Sequence, residues 1–375
     1  MASAIDQLNA LGQSLWYDNI QRDELENGAL ARMIAQGDIR GVTSNPTIFN
    51  QAISRSSHYD ADLKRLAAEG LTAEGIYEEL VVTDIRAAAD LFRPLYEETE
   101  AGDGYVSLEV NPNLAYDTAG TIDEVERLWE KVDRPNLMIK IPGTQEGLEA
   151  ITKSISAGIN VNVTLIFSLM RYADVMAAYV YGLRFREQAG DSIENIASVA
   201  SFFVSRVDSK VDKRLQAVIE GRGHAAELAE GILGETAVAN AKLAYVQFLE
   251  VFEGSTFEDL EEQGGRPQRP LWASTSTKNP AYSDVKYIEE LIGPNTVNTV
   301  PPNALEAFKD HGRVRVTISE DLTEARFVLE SLDELGISLD QVTKELEEEG
   351  VKAFAESYNS LLEKIEKRRI DRAEQ

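Results

Sequence analysis

The chain has 375 residues, of which 43% are hydrophobic, enough to bury a sizeable core in one large α/β domain or two medium ones. It has no cysteine, which excludes disulfides, zinc-thiolate sites and thiol nucleophiles, and its three histidines, His58, His224 and His311, are too far apart in sequence for a metal-ligand pattern or a Ser-His-Asp triad and read as surface residues. A formal charge of -27 argues against nucleic acid and anionic membranes, and neither a basic leader nor an apolar run approaching a membrane span is found, which points to a cytosolic protein.

In chain order, short apolar or alternating runs predict strands at Leu15–Asn19, Gly41–Asn45, Tyr105–Asn111, Leu137–Ile141, Ile159–Phe167, Val199–Arg206, Leu271–Thr275 and Thr296–Pro301. Helical periodicity lies between most of them, at Glu24–Gln36, Ile76–Phe92, Thr121–Val132, Gly147–Ala157, Leu169–Gln188, the long Ser209–Phe252, Val285–Leu291 and Leu305–His311. Eight βα units in this order predict one parallel (β/α)8 TIM barrel of the α/β class across residues 1–375, ahead of an open doubly wound sheet. Extra helices are expected around Gln51–Tyr96, in an insertion over 207–270 between strands six and seven, and in a C-terminal extension over 321–375. Glu258–Pro270 reads as a loop. In the tail, Phe354, Tyr358, Leu361, Leu362 and Ile365 form one apolar stripe, expected to pack on the barrel exterior, with capping of the mouth as the alternative. The run Glu347–Glu349 reads as a solvated face, and Asp208 and Lys210 read as ordinary charges on a helix surface.

The octapeptide Leu137-Met138-Ile139-Lys140-Ile141-Pro142-Gly143-Thr144 carries a lysine inside a run that otherwise reads as a fully buried strand. An ammonium there costs several kcal/mol, roughly, unless it is paired or gives up its proton. A neutral amine is a nucleophile, so the functional reading is a Schiff-base lysine attacking a carbonyl; the structural alternative is a lysine that snorkels out or pairs with a carboxylate.

Barrel sites form at the C-terminal strand ends, with alternate residues pointing inward. Asp18 lies in the end of strand one on the parity of Trp16, Thr43 and Asn45 lie at strand two, Ser107 and Glu109 in strand three, Lys140 in strand four, Asn162 and Thr164 in strand five, and Ser201 and Phe203 in strand six. Singly, each could be a satisfied buried group or a helix cap. Together, two carboxylates, two carboxamides, a threonine and a lysine suit a small polyhydroxylated carbonyl compound. Arg206, closing strand six, and Lys278, following strand seven beside the hydroxyls of Ser274–Thr277, are candidates for a phosphate, with helix capping as the competing explanation for the hydroxyls.

In these blocks the chain resembles transaldolases. The resemblance runs through Trp16-Tyr17-Asp18, Gly41-Val42-Thr43-Ser44-Asn45-Pro46-Thr47, Ser107-Leu108-Glu109-Val110, Met138 to Thr144, Asn162 to Ser168 and Ser201 to Arg206. It implies that Lys140 condenses with the C2 carbonyl of a ketose phosphate, sedoheptulose 7-phosphate or fructose 6-phosphate, and that Asp18 takes the C4 hydroxyl proton as C3–C4 breaks. Glu109 and Thr164 would hold a proton-relaying water. Asn45, Asn162 and Ser201 would bind the dihydroxyacetone hydroxyls, and Arg206 and, by looser alignment, Lys278 the phosphate. The three-carbon unit would pass to glyceraldehyde 3-phosphate or erythrose 4-phosphate, as in the pentose phosphate pathway. The partners implied are small sugar phosphates, with no cofactor and no metal because the imine replaces the Lewis acid; a homodimer is compatible. The same barrel serves fructose 6-phosphate aldolases, which tend to carry tyrosine where this chain has Phe203; a phenyl ring there keeps the site drier, though barrel packing would also account for it. Two further alternatives are a metal-dependent lyase or hydrolase with Asp18 and Glu109 as ligands, and a catalytically silent sugar-phosphate binding protein.

Overall fold

The computed structural model describes residues 2–373. Eight strands, β1 (Gln13–Tyr17), β2 (Gly41–Val42), β3 (Tyr105–Glu109), β4 (Leu137–Pro142), β5 (Val161–Ile166), β6 (Ser198–Phe203), β7 (Arg269–Ala273) and β8 (Thr296–Val300), pair in parallel and close into a barrel in chain order. This is the predicted (β/α)8 architecture. Parallel strands covered on both faces need side chains that tolerate burial at every position, and all six residues of β4 are buried. Between β1 and β2 the backbone of Gly41 lies against the Trp16 indole, where an added Cβ would come within 2.7 Å of the ring.

Apart from β4, which runs one residue further than predicted, the strands stop short of their predicted C-terminal limits, in β2 and β6 because the residues beyond already belong to helix starts. Asn45 is the N-cap of the helix Pro46–Arg55, its side-chain oxygen accepting the Ile48 N–H at 3.0 Å. Arg206 does not close β6; it lies in the first turn of the helix Ser205–Glu220. The predicted long helix Ser209–Phe252 is divided into Ser205–Glu220, His224–Gly231 and Thr236–Phe252. The chain turns left-handed at Arg222, Gly223 and Gly234, where a right-handed helix cannot continue. Part of the expected loop Glu258–Pro270 is ordered as well, with a short helix at Glu258–Glu261 and the start of β7 at Arg269.

Asp208 is not a surface charge. It is buried, accepting the Ala237 N–H and the Tyr287 hydroxyl, each at 2.7 Å, while Asp212 one turn on accepts the Gly234 N–H and the Tyr282 hydroxyl. Helical spacing alone could not reveal that these distant segments fold over the outer face of that helix. Lys210 does stay near the surface, paired with Glu345 and Glu349. Of the acidic run, Glu348 and Glu349 are exposed and Glu347 is half-buried, 3.7 Å from Arg171.

The final helix, Leu339–Ala373, crosses the mouth of the barrel instead of only lining its exterior. Gly350 meets Leu165 of β5, Ser357 bonds Thr47 and Asn50, and the Tyr358 ring meets Tyr77 edge-on at 5.1 Å. An apolar stripe has the same spacing whichever surface it covers, so periodicity could not choose between them. Leu165 itself lies in the left-handed region, φ 61°, at a register shift in β5. That conformation costs a non-glycine residue about 1–2 kcal/mol and turns Leu165 out of the regular alternation.

Burial raises the Asp208 pKa to about 7 against the two hydrogen bonds that oppose the shift. The folded state therefore holds a proton that the unfolded chain would release, and stability falls as pH rises between about 4 and about 7. Asp208→Asn is expected to flatten this fall, measured by denaturant unfolding at about pH 5 and about pH 7; an unaltered slope would mean that Asp208 does not carry the linkage.

Candidate active site

The barrel register sets Glu109, Lys140 and Asn162 side by side on β3, β4 and β5. Lys140 is only 4% exposed. Its Nζ lies 3.6 Å from Glu109 Oε2, donates to the Ser44 carbonyl at 3.2 Å and stands 6.0 Å from the centre of the Phe354 ring. The lysine therefore neither snorkels to solvent nor makes a tight ion pair, and its nitrogen opens into the mouth cavity. Burial pushes the Glu109 carboxyl up to about 7 while the Lys140 charge opposes the shift, so Glu109 can both give and take a proton near neutral pH. Neither Glu109 oxygen has a hydrogen-bond partner in the protein, and the same holds for the buried Thr164 hydroxyl on β5, which does not satisfy a neighbouring carbonyl.

Asp18 follows β1 directly, its N–H donating to Val300 at 2.8 Å. Burial raises its pKa, partly offset by the Lys140 charge and by the Thr43 hydroxyl, which donates to Oδ1 at 2.7 Å. Thr43 and Thr299 hydroxyls are 2.6 Å apart; since the single Thr43 proton goes to Asp18, Thr299 is the donor of that pair. Asn162 is wholly buried with both ends of its carboxamide engaged: it donates to Ser107 at 2.9 Å and accepts from Ser201 at 2.7 Å. Two hydroxyls thus fix its orientation.

A cavity of about 430 Å³ opens above these groups. Asp18, Asn45, Lys140, Ser201, Phe203, Arg206 and Lys278 all line it, joined by Thr43, Thr299, Ser274, Ser276 and Phe354, whereas Glu109, Asn162 and Thr164 lie beneath its surface. Asn45 combines both readings given to it: its oxygen caps a helix and its side chain faces the cavity, where its amide N–H groups can donate. Thr275 and Thr277 bond within the protein, leaving Ser274 and Ser276 as the cavity hydroxyls of that loop.

Arg206 and Lys278 stand out in a chain with 64 acidic against 37 basic residues. Among the described residues no carboxylate lies within ion-pair distance of either; Arg206 rests over the Phe203 ring at 5.2 Å, and Lys278 donates to Ser276. Desolvation lowers both pKa values, and the neighbouring Arg206 charge lowers that of Lys278 further. The more distant Asp18 charge opposes both shifts, yet two cations without a direct carboxylate partner in the cavity wall suit an anion. Among the described residues, no group of three or more His, Asp or Glu converges as metal ligands would.

The family profile described as Transaldolase/Fructose-6-phosphate aldolase matches residues 15–365, covering every one of these groups. The chain belongs to that family. Among its relatives, a protein of Saccharopolyspora erythraea named Transaldolase is 48% identical over 99% of both chains. Proteins with the same name from Thermobifida fusca (48%, 97% of this chain and 98% of the relative) and Thiobacillus denitrificans (49%, 96% and 98%) are similarly close.

Three features of this transaldolase-family site escaped the sequence. The Thr299–Thr43 relay on Asp18 spans β8 and β2, and only the closed barrel brings the two hydroxyls together. The Ser44 carbonyl under Lys140 is a backbone group without a sequence signal. Phe354 was visible only as a member of an apolar stripe.

Inorganic phosphate is expected to bind the wild-type protein at the Arg206–Lys278 end, and Arg206→Ala with Lys278→Ala to weaken it at least tenfold, about 1.4 kcal/mol or more. Titration calorimetry checks this; equal affinity in the double variant would remove the anion site.

Proposed function

We propose that the chain is a transaldolase that moves a dihydroxyacetone unit from a ketose phosphate, sedoheptulose 7-phosphate or fructose 6-phosphate, to an aldose phosphate, glyceraldehyde 3-phosphate or erythrose 4-phosphate, in the pentose phosphate pathway. The observation that carries the reading is Lys140, a buried amine opening into a cavity that is also lined by two cations, Arg206 and Lys278, without ion-pair partners among the described residues. The transferase class agrees with the names of the relatives.

In this mechanism the Lys140 nitrogen adds to C2 of the ketose phosphate, bound with its phosphate toward Arg206 and Lys278. The carbinolamine oxygen must leave as water, which requires a proton. Glu109, with a pKa near 7 and 3.6 Å from the nitrogen, is suited to supply it through a water shared with Thr164. The imine then draws electrons from C3. Asp18, whose desolvation makes it a stronger base than an ordinary aspartate, takes the C4 hydroxyl proton; C3–C4 breaks, an aldose phosphate leaves and the three-carbon enamine stays on Lys140. Asn45 and Ser201, which line the cavity, hold its hydroxyls, and Asn162 beneath them orients Ser201 by accepting its O–H. Addition to a second aldehyde reverses these steps.

Transfer is favoured over simple aldolase activity by the apolar Phe203 in the wall, and a silent binding protein would have no use for an amine beside two titratable carboxyls. We further propose one barrel domain over 1–375, with its insertion over 207–270 and extension over 321–375, working in the cytoplasm; no described helix is long and apolar enough to cross a membrane. A homodimer is proposed on the exposed Tyr181 and Phe185, one turn apart on the helix Leu169–Gln188. A monomer mass in light scattering would remove that assembly.

Borohydride reduction in the presence of fructose 6-phosphate is expected to leave a three-carbon adduct on the peptide containing Lys140, and Lys140→Arg to abolish it with the fold retained. Adduct at another lysine would overturn the mechanism. Asp18→Ala should slow cleavage by roughly 10²–10⁴ while imine still forms. For Glu109→Gln, single-turnover imine formation should fall by about 10² or more and lose its decline above about pH 7; a wild-type pH profile in that variant would relieve Glu109 of its role.

A further inference from the structure

Phe354 belongs to no strand or strand-end loop of the barrel, yet its ring comes close to the reacting nitrogen. The ring is buried, lines the mouth cavity and stands 6.0 Å from Lys140 Nζ. Its position is held from both sides along one face of the final helix. Four residues before it, Gly350 meets Leu165, and a Cβ at Gly350 would come within 2.8 Å of the leucine side chain. Four residues after it, Tyr358 packs edge-on against Tyr77, while Ser357 bonds Thr47 at 3.0 Å and its carbonyl accepts from Asn50 at 2.8 Å. Residues i and i+4 share a helix face, so both contacts direct the ring between them at the cavity. Packing alone would be satisfied by any apolar group on the helix. What is specific here is an apolar surface set against a nitrogen whose other neighbours, the Ser44 carbonyl and Glu109, are polar.

We propose that Phe354 is a specificity-determining residue of the transfer reaction: its ring keeps water from the three-carbon fragment on Lys140, so that an aldehyde takes the fragment. The proposal rests on the transaldolase reading. The competing fate of the enamine is protonation at its nucleophilic carbon by a proton from water, giving the iminium of dihydroxyacetone. Water then adds at C2 and the Lys140 amine leaves, freeing dihydroxyacetone. That water balances the one expelled when the imine formed, and the net change is cleavage of ketose phosphate into dihydroxyacetone and aldose phosphate. Both steps need water at the fragment, and a phenyl ring neither holds a water nor relays a proton.

The test measures the ratio of free dihydroxyacetone to transfer product, with fructose 6-phosphate as donor and erythrose 4-phosphate as acceptor. Phe354→Gln is expected to raise that ratio at least tenfold, and Phe354→Leu, which stays apolar, to keep it within about threefold of wild type. If the Gln variant does not fold, Phe354→Tyr, which keeps the ring and adds one hydroxyl, is expected to raise the ratio in the same direction. An unchanged ratio in the folded polar variant, or an equal rise in Phe354→Leu, overturns the proposal. Borohydride trapping on each variant separates the two readings: an adduct on Lys140 with an unchanged ratio removes only the role of Phe354, whereas no adduct in the wild type removes the transaldolase mechanism itself.

Discussion

A lysine and a glutamate, 3.6 Å apart and both withdrawn from solvent, set the terms for the rest of the molecule. Desolvating two opposite charges costs several kcal/mol per ion, and their attraction offsets this only where geometry and hydrogen bonding are good. Here the geometry is deliberately loose: the contact is longer than a hydrogen bond, and both Glu109 oxygens lack a protein donor. A glutamate in that position titrates near neutrality, where a tight ion pair would have held it ionised. The pair is therefore better suited to moving a proton than to stabilising the barrel, and the stability it forgoes comes from the apolar layers of the strands around it.

The same trade recurs at the cavity mouth. The chain is strongly acidic, but among the described residues neither Arg206 nor Lys278 makes an ion pair, and burial makes each a less comfortable cation than it would be in water, against the more distant charge of Asp18. Mutual repulsion between them is relieved when an anion binds, so part of the anion's affinity comes from the placing of the two charges. The Phe203 face beneath Arg206 supports the guanidinium without neutralising it, which a carboxylate would have done.

The sequence made Lys140, Glu109 and Asn162 legible because strand alternation has a strict period: a polar residue in an apolar run must aim at the barrel axis, and adjacent strands then bring such residues level. Asp18, Asn45 and Arg206 were found by the rule that sites follow strand ends, although each lies in a turn or first helical turn instead of the strand. Residues whose role depends on what folds over them were not legible. Asp208 sits on an ordinary helical pattern and is buried only because Ala237 and Tyr287 close upon it. Phe354 shares its spacing with any packing residue, and the bulge at Leu165 that gives its helix a seat has no local sequence signature such as glycine. Local chemistry was readable; long-range placement was readable only where barrel closure dictates it.

The roof over Lys140 comes from a part of the chain made well after β8 has closed the barrel at Val300. During synthesis the scaffold can complete its hydrogen-bonded ring while the amine is still open to water and to any passing carbonyl. Competence for controlled transfer then arrives as a separate event, when the last helix settles between Leu165 and Tyr77. Until that helix has docked, the nucleophile would thus stand unguarded.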